Sequence, residues 1–299
     1  MTVCGYIFLI LIGLCWGSFL NVVIVRTLSD ESIILPPSKC PKCNNRLLWW
    51  HKIPLLSYAL LKGKCGFCSD KISVQYPIVE LLGAGIFLFS FINYGTPVDI
   101  VMVIIILSMF LVLACTDIKE KKISIPHTLI VSVCGVIFNR YDILNSLTGF
   151  IFASGMIILL SLLSEKFLKK QTFGNGDVYA FGALGAVVGA DNLIMFLIYA
   201  VFIQFLYILP EYIKTIIKDE NKEKLKYFIS FVSACLFFYV FRNINFWGSK
   251  LLLTMLLGFV VFCGINIIKN LLISVKTDET HSCSPILPSL AICALIFLC

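Results

Sequence analysis

Long apolar runs separated by short polar or charged stretches dominate this chain. Val101 to Leu113 and Met156 to Leu163 are almost unbroken, which fits bilayer-crossing helices of about 20 apolar residues and not the alternation of barrel strands. The pattern predicts helices over 5–25, 77–92, 100–116, 126–138, 143–163, 178–189, 193–209, 227–241, 251–268 and 286–299. The fourth, sixth and last are short for a full span, so about eight to ten crossings are expected. The fold class is therefore all-α, a polytopic transmembrane helix bundle. Gly5 to Val25 lacks a basic leader and a small-residue cleavage site, and is read as a first helix rather than a signal peptide.

Composition agrees with a lipid-solvated chain: 59% of the 299 residues are hydrophobic and only 14% charged. Such values exclude an ordinary soluble domain. The net charge of +7 does not indicate nucleic acid, because the positions of the charges matter more than their sum. With the N-terminus outside, alternate loops hold 21 of the 24 Lys and Arg, and the opposite loops carry only Arg140, Arg242 and Lys250. The positive-inside rule then places the loops 26–76, 117–125 and 164–177 in the cytosol. Four parts follow: a first helix over 1–25, a small soluble loop over 26–76, a membrane core over 77–209, and additional membrane segments over 210–299.

The soluble loop contains Cys40, Cys43, Cys65 and Cys68 as C-x2-C-x21-C-x2-C. Two such pairs supply four thiolates to one tetrahedral zinc with no open coordination position, which marks a structural site. Disulfides are the competing reading, disfavoured in a reducing cytosol. The other cysteines lie singly near apolar segments and read as small apolar residues.

Three carboxylates lie in or beside the apolar runs, where acids are costly and are functional candidates. Asp117 ends the third predicted helix, Asp177 begins the sixth after Gly174-Asn175-Gly176, and Glu80 lies within the second. Aspartic proteolysis needs two carboxylates sharing one proton, the ionised one activating water and the protonated one donating to the peptide carbonyl. Asp117 and Asp177 are sixty residues apart but share one predicted face. The competing reading makes Asp117 an interfacial charge and Asp177 a helix cap. For Glu80 the alternatives are a chemical role and a packing carboxylate paired with a basic loop residue.

The order of these motifs resembles the type 4 prepilin peptidases, leader peptidases and N-methyltransferases of the Gly-x-Gly-Asp membrane protease class. The resemblance is carried by Gly17-Ser18-Phe19-Leu20-Asn21-Val22 with Arg26 following, Cys40-Pro41-Lys42-Cys43, Ile53-Pro54-Leu55-Leu56-Ser57-Tyr58, Lys62-Gly63-Lys64-Cys65, Tyr76-Pro77-Ile78-Val79-Glu80-Leu81-Leu82, Asp117 with Pro126, and Gly174-x-Gly176-Asp177. It runs from about Gly5 to Leu209. Beyond that, Pro285-Ile286-Leu287-Pro288 resembles the family's closing Pro-x-Gly-Pro, with Leu287 in place of Gly. Tyr179 stands where the family usually has Lys.

The resemblance implies a multi-pass protein of the bacterial plasma membrane, with its active site and Cys loop facing the cytosol. Asp117 and Asp177 would cleave the leader of a type IV prepilin or pseudopilin. S-adenosylmethionine would then methylate the new N-terminal residue, with Gly17, Asn21, Arg26, the Cys loop and Glu80 as supports of that second activity. The lipid bilayer and the prepilin are the implied partners. A cation transporter or channel, and an inactive pilin-binding protein, are the other functions the membrane pattern admits.

Overall fold

The computed structural model describes residues 3–35, 37–168, 174–197, 199–200, 203 and 287–298. The chain divides into two units, Met1–Gln204 with Pro285–Cys299, and Phe205–Ser284. The second unit, with the predicted helices over 227–241 and 251–268, lies outside the described residues. So does most of the segment predicted over 193–209, although 190–197 are helical.

The first unit consists of helices: α1 (Val3–Leu28), a short α2 (Leu56–Leu60), α3 (Gln75–Asn93), α4 (Pro97–Glu120), α5 (Ile125–Phe138), α6 (Ile143–Leu168), α7 (Asn175–Val188) and α8 (Leu287–Leu298). Isolated bridges within the Cys loop are the only β pairing among the described residues. α1, α3, α4 and residues 143–163 of α6 are long and apolar enough to cross a membrane. α5, α7 and α8 have the short lengths expected from the sequence. Large apolar side chains point outward, among them Phe8, Leu11, Ile151 and Phe152, as lipid-facing helices require.

Local signals set the helix ends. Thr96 caps α4 by accepting the Asp99 N–H at 3.2 Å, with Pro97 in the first turn, where its missing N–H costs nothing. Lys121 stops α4 in the left-handed region at φ 55°, and Pro126 sits in the first turn of α5.

Glycine decides how closely the helices pack. A Cβ on Gly17 would lie 2.6 Å from the Glu80 Cα, and one on Gly13 would lie 2.6 Å from the Ala84 Cα. The pair Gly13-x-x-x-Gly17 thus brings the backbones of α1 and α3 together, the means by which membrane helices associate without a hydrophobic force between them. Trp16 donates its indole N–H to the Ser108 hydroxyl at 2.8 Å, joining α1 to α4. The main core gathers Phe110, Leu113, Val131, Leu184, Phe196 and Leu290.

Two sets of contacts define the ends of the bundle. At one end the Lys122 ammonium pairs with Asp30 at 3.0 Å, Ile123 abuts Gly176, and Leu287 meets Asp117. At the other, the Tyr94 hydroxyl donates to the Leu298 carbonyl, Arg140 pairs with Asp99, and Asn139 donates to the Ala186 and Val187 carbonyls. α8 therefore runs antiparallel to α4.

Candidate active site

Asp117 lies inside α4, three residues before its last residue, Glu120; the helix runs one turn further than the apolar pattern predicts. Its side chain is only 7% exposed, and Oδ2 accepts the backbone N–H of Leu287 at 2.9 Å. That donor belongs to the Pro-x-Leu-Pro segment, so the sequence departure at Leu287 sits directly against a candidate carboxylate.

Asp177 is the third residue of α7, not its first: Gly174 is the cap, and Asn175 and Gly176 are already helical. Asp177 Oδ2 accepts the Gly174 N–H at 2.8 Å. The capping role and the candidate chemical role thus fall on the same side chain. The helix start presses against the loop after α4, since a Cβ on Gly176 would lie 2.8 Å from the Ile123 Cβ. α5 packs against both α4 and α7, and Ile123, just after α4, abuts Gly176 at the start of α7. The two acids therefore lie at the same end of the bundle.

Tyr179 is exposed and two positions from Asp177, so on the helix surface it does not face that carboxylate. Glu80, 8% exposed, accepts the Leu55 N–H at 2.8 Å and the Ser18 hydroxyl. It does not pair with a basic loop residue among the described residues; backbone and hydroxyl donors reach it first.

The four cysteines converge, with all their sulfurs within 4.8 Å of one another. The Cys40 and Cys68 sulfurs are 3.9 Å apart, far beyond a disulfide bond and close to the edge of about 3.8 Å for four thiolates on one tetrahedral zinc. Two equivalent turns present them. Asn44 N–H donates to the Cys40 carbonyl and Cys40 N–H to Asn45; Ser69 N–H donates to the Cys65 carbonyl and Cys65 N–H to Asp70. The fifth residue of each turn, Asn44 and Ser69, has positive φ. Cys40 and Cys65 are also the only buried hydrophobic residues among those described between 29 and 74. A cluster of sulfurs occupies the place where a larger domain would have an apolar core, and its geometry fits a metal ion.

The Cys65 thiol is lowered to about 7 by the backbone N–H groups of Cys68 and Phe67. Cys68 is pushed up to about 12: the Asp70 N–H favours its thiolate, but local desolvation and the Cys65, Cys43 and Cys40 thiols outweigh it. Four adjacent thiols cannot all ionise without a cation to balance them.

A membrane helix bundle with two acids at the same end and a four-sulfur loop beside α1 and α3 has the build of a polytopic membrane hydrolase. Residues 11–94 match the bacterial peptidase A24 N-terminal domain, and residues 104–209 match the type IV leader peptidase family. The chain is 32% identical over 202 residues to the prepilin leader peptidase/N-methyltransferase of Myxococcus xanthus, covering 65% of this chain and 59% of that protein. It is 31% identical over 210 residues to the protein of that name from Neisseria gonorrhoeae, covering 61% and 73%. Over 207 residues it is 30% identical to that of Bacillus subtilis, covering 67% and 80%. No solved structure matches the chain. The chain belongs to the type IV leader peptidase family.

Proposed function

We propose that this chain is a membrane aspartic endopeptidase that removes the leader of type IV prepilins or pseudopilins and then N-methylates the new N-terminal residue. The observation that carries the reading is the placement of buried Asp117 and half-buried Asp177 at the same end of the bundle. Membership of the family, and the names of the relatives from Myxococcus, Neisseria and Bacillus, support the substrate class and both activities.

The chemistry follows from two carboxylates sharing one proton. The ionised aspartate takes a proton from water as the water oxygen attacks the scissile carbonyl. The protonated one donates to the carbonyl oxygen, and a carboxyl group then returns a proton to the leaving amine. The hydrogen bonds from Leu287 to Asp117 and from Gly174 to Asp177 hold one oxygen of each and orient the other. Gly176 admits close backbone packing beside the reacting pair.

The Cys cluster holds a structural zinc that closes the loop. S-adenosylmethionine supplies an activated methyl group for the second reaction. The concentration of Lys and Arg in alternate loops supports an orientation with the acids and the Cys loop at the cytosolic face of the bacterial plasma membrane.

Incubation of purified protein with a prepilin, read by mass spectrometry, tests the peptidase reading. The wild type yields a shortened pilin, and Asp117→Asn or Asp177→Asn lowers the rate by about 10²- to 10⁴-fold while the protein remains inserted. Full cleavage by either variant overturns the mechanism.

A further inference from the structure

The Cys loop carries apolar side chains that the rest of the described molecule leaves uncovered. In α2, Leu56, Ala59 and Leu60 fall on one face, and all three are exposed, Leu56 by 53% and Leu60 by 67%. Trp49, in the 3-10 turn Trp49–Lys52 that packs against α2, is 78% exposed. The protein uses the other side of α2, where a Cβ on Gly63 would lie 3.1 Å from the Tyr58 hydroxyl. Exposed apolar clusters of this kind mark a surface that something covers.

The loop is drawn down against the bundle. Leu55, the residue before α2, donates its N–H to the Glu80 carboxylate at 2.8 Å, and the Glu80 backbone lies against Gly17. Glu80 is three residues into the apolar run that starts at Pro77, and Gly17 is eight residues inside the run that ends at Val25, depths of about 5 and about 12 Å. The Glu80 side chain leans toward the start of α3, which sets α2 at the boundary between headgroups and acyl chains. Ile78 and Leu81 of α3, beside Glu80, are also exposed, so the patch continues the lipid-facing surface of that helix. Its charge fits an anionic leaflet: no acid stands between Glu31 and Asp70, and exposed Lys52 and Lys62 bracket α2. We propose that Trp49 and the Leu56–Leu60 face of α2 seat the Cys loop on an anionic lipid surface. The leucines enter the first acyl carbons, the indole lies at headgroup level, and Lys52 and Lys62 reach the phosphates. A second copy of the chain would also cover an apolar patch, but the depth of α2 and the absence of acids favour lipid.

The test reconstitutes the purified full-length protein, without pilin, in vesicles of phosphatidylcholine and phosphatidylglycerol. A trace of either lipid carries a photoactivatable diazirine on its first acyl carbons, and the labelled residues are mapped by mass spectrometry. Label within 48–61, at least about threefold stronger from phosphatidylglycerol, supports the proposal. Combining Trp49→Gln, Leu56→Gln and Leu60→Gln should then reduce that label at least about threefold, while exposed Ile151 and Phe152 of α6 are labelled as in the wild type. No label within 48–61, as a face in water or under a second copy would give, overturns the proposal. Equal label from the two lipids, or a triple variant labelled like the wild type, overturns it as well.

Discussion

Any side chain at position 176 puts a Cβ 2.8 Å from that of Ile123, so the Gly preceding Asp177 is required by a neighbour fifty-three residues earlier, in the loop between α4 and α5. Gly176→Val should displace the start of α7 and reduce prepilin cleavage at least about tenfold, with recovery when Ile123→Ala makes room. Absence of recovery would assign Gly176 some other role. Tyr179 should matter far less: its exposure and its position off the Asp177 face predict that Tyr179→Phe cleaves within about twofold of wild type. Asp177 was legible in Gly-x-Gly-Asp, and Asp117 as an acid at the end of an apolar run. Leu287 was visible only as an unusual residue in a Pro-x-Leu-Pro segment, because its contribution is a backbone N–H, which sequence does not distinguish from any other.

Among the helices, α1 and α3 depend on contact without intervening side chains. Gly17→Leu should force them apart and lower the thermal midpoint in detergent; a shift within error would show that the contact yields freely. The sequence marked Gly17 through family resemblance, whereas its close approach to Glu80 supplies a packing reason for the residue. The Cys loop is held differently, since it buries almost nothing apolar. Cys40→Ser with Cys65→Ser should remove the one metal ion expected per chain, measured by elemental analysis of purified protein. Its pH dependence has a definite sign. Cys65 is lowered from the ordinary thiol value to about 7, so its thiolate prevails above that pH and is protonated below it. Because each ligating thiol must give up its proton to bind, metal affinity measured against a competing chelator should weaken as pH is lowered, and an affinity independent of pH would contradict thiolate ligation. The spacing of the cysteines announced the metal site; the repeated turn around Asn44 and Ser69 was not apparent from residue types, since the two positions share conformation rather than chemistry.

Across the bundle, α8 spans from Asp117 at one end to Tyr94 at the other. Removing residues 287–298 should take away the Asp117 backbone donor and uncover the α4 face, reducing cleavage at least about tenfold even where the protein still inserts. Orientation is checked by single cysteines in an otherwise cysteine-substituted chain that still inserts. Arg140→Cys should react with an impermeant thiol reagent added outside, and Lys121→Cys only after permeabilisation; the reverse pattern would invert the topology.

Apolar run length and the segregation of Lys and Arg were enough to establish an all-helical membrane chain and the positions of most helices, because a bilayer allows few other ways to satisfy the backbone. The identities of the two acids and four thiols were equally local, since their chemistry resides in single side chains. Their convergence was not. That Asp117 and Asp177 share one end of the bundle, that Leu287 supplies a hydrogen bond and that Glu80 takes backbone and hydroxyl donors in place of a basic partner all depend on which helix backbones can approach, and glycine contacts between segments far apart in the chain control that approach.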